Sequence, residues 1–286
     1  MILQSGHASM QFSNDYTRDT LLILEAPRLG LNGAVEIKQE VKVKSLYKAL
    51  SILDCFTTEE PELGISEISK RLGLYKSNVH NLVDTFVKAG YLEQNPENEK
   101  YRLAYKILEL GQIVTSRMSF ATIVTPYMQE LAEKTNEVIY LAVPSDTEVM
   151  YLDAFSPKNK QTTRRMQGIK APMYCTGIGK AMLAYLPEQT LHAVLAGERT
   201  KFTDQTLVER EELLQDLKQI RSRGYAIDRM EHEFGIKCIG MPIMNRRGEV
   251  IAGVSISGPS LRFDDQTIPT LANQLLDVVD QLKGRI

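Results

Sequence analysis

Cysteine is scarce in this chain: Cys55, Cys175 and Cys238 are its three thiols among 286 residues. They form no C-x-x-C pair, so neither a disulfide framework nor a metal-ligand spacing is indicated, and a reducing cytoplasm is the expected compartment. Long apolar runs are missing as well. Nothing approaches the roughly 18 consecutive apolar residues of a membrane-spanning helix. Leu21-Leu22-Ile23-Leu24 is too short for a signal peptide, and Asp15, Arg18 and Asp19 stand where a basic flank belongs. A surplus of one charge is lacking too. The formal net charge is -2, with acids and bases in balance over both 41–104 and 105–286 and a slight acidic excess over 1–40. Electrostatics alone therefore does not announce a nucleic-acid partner, and any such reading rests on pattern. There is no tandem repeat or low-complexity tract. What remains is an ordinary globular composition, 43% hydrophobic, long enough for two domains or one large one.

Residues 1–40 show no sustained period, and Gly30 and Gly33 interrupt the stretch after the short apolar run. They read as a disordered or mis-started tail, with a partner-binding arm as the alternative. Patterned sequence begins near Val41. From Ser45 to Phe56, Leu46, Ala49, Leu50, Ile52, Leu53 and Phe56 recur at helical spacing, with Ser45 placed to cap. A second helix comes next, with Ser66 at its start, Ile68 and Leu72 inward and Gly73 at its end. A third runs from Lys76 towards Gly90 and buries Val79, Leu82, Val83, Phe86 and Val87. Two short helices around a Gly-containing turn form a helix-turn-helix pattern. Leu92-Glu93-Gln94 and Lys100-Tyr101-Arg102-Leu103 flank an Asn/Pro-rich turn and read as a β-hairpin wing. The expectation is a winged helix-turn-helix at 41–104. The alternative is a helical hairpin in some other globular core.

The third helix would lead into the major groove with its N-terminal residues. Its apolar face packed inward leaves Lys76, Ser77, Asn78 and Asn81 outward and His80 at the edge. Asn can pair bidentately with adenine, Lys reaches guanine or phosphate, and Ser77 with the helix-start amides suits a phosphate. Lys100 and Arg102 share a face of the wing and can approach the backbone. Ser45 is counted with these as a DNA-contact candidate. The cluster Glu59-Glu60-Glu62 is expected to lie away from the phosphates.

A linker helix is expected over 105–120, then a larger domain over 121–286. Strands are expected at Val138–Val143, Val149–Asp153, Thr162–Gln167, Tyr225–Asp228, Cys238–Met244 and Val250–Ser257. Helices are expected at Thr122–Thr135, from Gly177 through Leu186, and at Glu188–Ala196, Leu207–Ser222 and Gln266–Lys283. Hairpins with intervening helices make an α+β domain with a mostly antiparallel sheet. Thr176-Gly177-Ile178-Gly179-Lys180 is not a P-loop, because Tyr174 and Ala181 stand where that motif needs Gly and Ser/Thr. It is a glycine-bearing helix start, suited either to holding a small anion or to tight packing on a sheet. Ser255 and Ser257 share a strand face with Gly253, as a polar pocket or a solvated surface would require. Asp228, His232 and Cys238 invite a cysteine-nucleophile reading, against which Cys238 opens an apolar strand and suits inert packing.

Taken together these residues resemble the IclR family of bacterial transcriptional regulators from about Val43 onward. The resemblance is carried by Ile65-Ser66-Glu67-Ile68-Ser69, Lys76-Ser77, Gly90-Tyr91-Leu92, Tyr101-Arg102-Leu103, Gly179-Lys180-Ala181, Gly224-Tyr225-Ala226-Ile227-Asp228, Glu231-His232-Glu233, Cys238-Ile239 and Ser255-Ile256-Ser257-Gly258-Pro259. It implies a GAF-like effector domain behind the winged helix, dimers or paired dimers on near-palindromic double-stranded operators, and a small-molecule carboxylate effector. It implies no cofactor, no metal and no catalytic residue. By resemblance the effector residues are Gly177, Ile178, Asp228, Cys238, Ser255 and Ser257. An ionised Asp228 would repel an anion but accept a hydroxyl, which points to a sugar acid. The helix-turn-helix pattern usually has Ala where this chain has Ser69, and the chain departs from the family at Asn78 and Asn81, where Thr and Arg are common. The expected function is a ligand-responsive repressor. A Cys238-dependent acyl hydrolase and a sensor that binds protein rather than DNA stand as rivals.

Overall fold

The computed structural model describes residues 41–116, 119–159, 166–283 and 285. The expectation for 1–40 lies outside the described residues, as does most of the strand expected at Thr162–Gln167. These residues divide into two compact units, parted between residues 117 and 118.

The smaller unit opens with α1 (Lys44–Leu53), α2 (Ile65–Leu72) and α3 (Lys76–Lys88). Ile52, Leu63, Ile68, Leu72, Val79, Val83 and Leu92 close its core, so the apolar periodicity and the packing coincide. The two serines expected as caps do not cap. Val43 holds the N-cap position of α1 and Ser45 lies inside the helix. At α2 the N-cap is Gly64, whose amide donates to the Glu67 carboxylate at 2.6 Å. A carboxylate three residues into the helix thus takes the role expected of the Ser66 hydroxyl. Gly73 ends α2 at φ 62, a left-handed conformation that a side chain resists. Ser69 holds the same turn, its hydroxyl donating to the Leu74 carbonyl at 2.6 Å. That contact explains the departure from Ala at this position.

The wing pairs β1 (Leu92–Gln94) with β2 (Tyr101–Leu103) in antiparallel register, Glu93 opposite Arg102. Leu63 adds a bridge to Tyr101 through two 2.9 Å backbone bonds. After the wing, α4 (Tyr105–Ser116) ends this unit.

The larger unit begins with α5 (Ser119–Thr135), which starts three residues earlier than expected. Its six strands are β3 (Val138–Ser145), β4 (Glu148–Phe155), β5 (Lys170–Pro172), β6 (Ala226–Asp228), β7 (Ile236–Met244) and β8 (Val250–Pro259). They form one sheet in the order β5-β4-β3-β8-β7-β6, with every described neighbour pair antiparallel. The edge beside β4 is taken by β5, and Met166 and Gln167 lie in no strand.

Helices cover both faces. On one, α5 and α9 (Thr267–Leu282) pack on Ile139, Leu141, Val254 and Ile256. On the other, α6 (Gly177–Leu183), α7 (Glu188–Ala196) and α8 (Arg210–Arg223) pack on Ala142, Tyr151 and Ala226. The alternation expected along 250–257 holds from Ala252 onward. It reverses before that, because Ile243 pairs with Ala252 and Met244 with Val250, leaving Ile251 as an extra residue. This bulge turns Val250 towards the α6 side and Ile251 towards the α9 side.

Candidate functional site

In the smaller unit α3 buries Val79 and Val83 and leaves Tyr75, Lys76, Ser77, Asn78, His80, Asn81 and Thr85 exposed. The five helix residues singled out as DNA contacts therefore all lie on solvated surface, three of them in the first turn. Ser45 is exposed on α1. The wing cations are engaged. Lys100 donates to Glu67 at 3.0 Å, and Arg102 donates to Glu93 at 2.6 Å and to Glu62 at 3.4 Å. Glu62, of the acidic cluster expected to lie away from the phosphates, is joined to the wing: its carboxylate also accepts from Asn95 and Asn98 of the wing turn. Those amides hold it below the usual carboxylate range. Charge spacing in sequence cannot show this, since the partners lie 33 to 40 residues away.

The larger unit contains a partly open cavity of about 220 Å³. All six residues named as effector contacts line it: Gly177 and Ile178 from the start of α6, Asp228 from the end of β6, Cys238 from β7, and Ser255 and Ser257 from β8. Register explains the convergence, for Asp228 pairs with Cys238 and Cys238 with Ser257 across adjacent strands. Tyr140, Tyr151, Met166, Thr176, His232, Glu233 and Ile236 complete the wall, none of them named as an effector contact from sequence. Tyr140 had a signal, since the strand period places it on the Ser255 side of the sheet opposite Ser255 itself. His232 stacks tilted against Phe202, with ring centroids 5.0 Å apart.

The packing reading of the glycine-bearing helix start holds, and the same residues face the cavity. A Cβ on Gly240 would meet the Gly177 carbonyl oxygen at 2.3 Å, and one on Gly253 would meet Ile178 at 2.8 Å. The missing side chains let α6 settle onto β7 and β8, and its first residues become the cavity wall. Thr176 caps the helix, accepting from the Gly179 amide at 3.2 Å. The first amides of the helix, those of Gly177 and Ile178, have no acceptor within it.

Two electrostatic features mark the pocket. Asp228 is 3% exposed, accepts the Glu231 amide at 2.7 Å, and is raised to about 7 by burial and then by the neighbouring Glu231 carboxylate. Behind it Lys180, 1% exposed, donates to Glu231 at 2.6 Å, Asp216 at 2.7 Å and the Ile227 carbonyl at 2.9 Å. Cys238 donates to the Ser257 hydroxyl at 3.1 Å. Burial pushes its thiol well above the ordinary range, which leaves little thiolate for nucleophilic chemistry. Cys175 is raised for the same reason. Among the described residues no group of three His, Cys, Asp or Glu is arranged to hold a metal ion, and no helix is long and apolar enough to cross a membrane.

Comparison with known proteins agrees with this architecture. The IclR helix-turn-helix domain matches residues 45–96, and the bacterial transcriptional regulator IclR C-terminal domain matches residues 112–283. The regulator XynR of Escherichia coli is 37% identical over 234 residues, covering 82% of this chain and 93% of the relative. The transcriptional repressor IclR of Escherichia coli is 30% identical over 230 residues, 79% of this chain and 84% of the relative. An IclR family transcriptional regulator from Brucella abortus superimposes with a TM-score of 0.73 at 26% identity, covering 87% of this chain and 95% of that one. With a helix-turn-helix in one unit, a walled pocket in the other, and family models over both, the chain belongs to the IclR family of bacterial transcriptional regulators.

Proposed function

We propose that this protein is a cytoplasmic repressor whose affinity for a near-palindromic operator is set by a small hydroxylated carboxylic acid bound in the larger unit. The observation that carries the effector half is the convergence of six residues from four elements on one cavity. The acid's carboxylate sits at the helix start, against the amides of Gly177 and Ile178 and the hydroxyls of Ser255 and Ser257. Tyr140, Tyr151 and Thr176 add hydroxyl-bearing walls for a polyhydroxy chain, so a sugar acid suits the cavity. Repression follows the precedent of the repressor IclR among the relatives.

On the DNA side, α3 enters the major groove with Lys76, Ser77, Asn78, His80 and Asn81, while Ser45, Lys100 and Arg102 take phosphates. The active species is a dimer, or a pair of dimers. Leu108 is 68% exposed and Ile113 55% exposed on α4, and Leu46 and Leu50 are exposed on α1. An apolar surface of this kind calls for cover, and a second copy supplies it with the symmetry a palindrome needs. Effector binding shifts the population between dimer arrangements that do or do not match the half-site spacing. A coupling of about 1–3 kcal/mol gives roughly a 5–150-fold change in operator affinity.

The test is fluorescence anisotropy with DNA from the gene's own upstream region, a scrambled duplex and a tiled genomic pool, at two salt concentrations. Selective binding that weakens with salt and shifts with a small acid is expected. Absence of any enriched site, with and without acids, overturns the DNA reading. Lys76→Ala with Asn78→Ala is expected to remove selectivity while leaving the fold intact.

A further inference from the structure

We propose that the effector's carboxylate binds beside Asp228 with a proton held between them, so that binding takes up one proton from solvent wherever Asp228 is ionised beforehand, and the pocket reads the acid together with pH. This rests on the carboxylate-effector reading above.

The geometry sets a problem that a proton solves. The cavity wall carries an aspartate, and among its described lining residues there is no lysine or arginine. The described cation packed behind Asp228 is already committed: Lys180 is buried, its ammonium donating to Asp216, Ile227 and Glu231. Swinging it into the cavity would break three hydrogen bonds and leave Glu231, itself buried, without its ion-pair partner. Among the described residues, an anionic ligand therefore meets Asp228 with no free counter-charge between them. Two carboxylates at hydrogen-bond distance do not both stay ionised. Sharing a proton turns the repulsion into a short charge-assisted hydrogen bond.

The surroundings already favour this. The loop after β6 places Glu231 beside Asp228, with His232 and Glu233 further along the cavity wall. Helix α6 contributes Lys180, with Cys175 just before it. Strand β7 contributes Cys238, and β3 and β4 contribute Tyr140 and Tyr151. Helix α8 adds Asp216, bonded to Lys180 and to Arg223. Lys180 and the Glu231 and His232 amides favour the charged form of Asp228, while burial and Glu231 oppose it more strongly, leaving the group near neutrality. An arriving carboxylate adds a like charge and pushes in the same direction.

The experiment is isothermal titration of the full chain with D-gluconate, glycolate, L-lactate and benzoate between pH 5.5 and 8.5, in buffers of differing ionisation heat. These acids stay ionised throughout. The expected result is an affinity that is flat at low pH and falls about tenfold per pH unit above about 7, with uptake approaching one proton. Asp228→Asn, a neutral isostere, is expected to bind without the slope. Glu231→Gln removes a charge that raises Asp228, so the break moves to lower pH. His232→Gln leaves the break in place, which separates this proton from one on the imidazole. A pH-independent affinity, or a slope that survives in Asp228→Asn, overturns the proposal and leaves the effector reading standing. If none of the acids binds at any pH, the carboxylate reading fails and this one with it.

Discussion

Replacing Lys180 with methionine is the sharpest test of how the pocket is held. The substitution nearly conserves volume, so it removes the charge without opening a large void. In the native unit the Lys180 side chain is 1% exposed and its partners Glu231 and Asp216 are 4% and 17% exposed. Lys180→Met removes a donor from three acceptors at once, the two carboxylates and the Ile227 carbonyl, leaving Asp216 with Arg223 and Glu231 with the Arg229 amide. Removing one member of a buried pair costs about 3–5 kcal/mol, since the remaining charge stays in a dry site. The loss has a pH signature. Burial already raises Glu231, and Lys180 is the main influence lowering it. Without Lys180 the folded carboxyl titrates higher still, while the unfolded one does not change. A carboxyl raised on folding contributes stability at pH below its unfolded value and loses it as pH climbs through the folded value. The variant is therefore expected to be only mildly weakened at pH 5 and most weakened at pH 8. Urea unfolding followed by circular dichroism measures this, and suits a chain that has no tryptophan. Adding Glu231→Gln to Lys180→Met is expected to recover about 1 kcal/mol or more at pH 8, by removing the stranded charge. A loss under about 1 kcal/mol, or one equal at both pH values, would refute the reasoning that this cluster is a paired, dehydrated charge site.

Three further outcomes are expected from the same contacts. Gly240→Ala sets a methyl 2.3 Å from the Gly177 carbonyl oxygen and 2.8 Å from the Ile178 amide nitrogen, both backbone atoms. It is expected to lift α6, cost about 1–3 kcal/mol in urea unfolding, and weaken acid binding by calorimetry. Glu62→Gln with Glu93→Gln releases Arg102 from both of its carboxylates. Operator affinity by anisotropy is expected to rise, with a steeper dependence on salt as one more phosphate contact forms. Leu108→Glu with Ile113→Glu places charges on the exposed face of α4, and sedimentation is expected to show monomers that no longer bind a full operator.

The winged helix is legible because its signals are local. Gly73 and the apolar period of α3 fall within a few residues of each other, and each stands out as a pattern in the bare sequence. One of the two misplaced caps has a local cause: the helix begins at Ile65, ahead of Ser66, with Gly64 as N-cap, and the Glu67 carboxylate holds the Gly64 amide there. The bulge at Ile251 is invisible in sequence, because strict alternation is the simplest reading of an eight-residue strand and only pairing with β7 reveals the extra residue. Four of the effector residues follow from register once the β6-β7-β8 pairing is known, but that pairing is not written in any one strand. Lys180 shows the limit most plainly. It sits in a motif that identifies the family, yet its partners lie 36 to 51 residues further along the chain, and no spacing rule connects them.

The glycine contacts and the charge cluster are one construction. For α6 to form the cavity wall, its backbone must touch β7 and its Ile178 and Met182 side chains must press on β8, which requires Gly177, Gly240 and Gly253 to lack side chains. The same descent buries the whole helix, and its fourth residue is Lys180. A lysine carried into the interior needs acceptors, and the turn after β6 and helix α8 provide them through Glu231 and Asp216. Glu231 is tied in turn by its amide to Asp228. The pocket aspartate is thus two bonds away from the lysine that the tight helix packing forces inside. Anything that moves α6 relative to the sheet also moves the charge balance at Asp228. In such a fold, the occupant of the cavity and the position of α6 are coupled through specific hydrogen bonds, and α6 is the natural element for a ligand to bias.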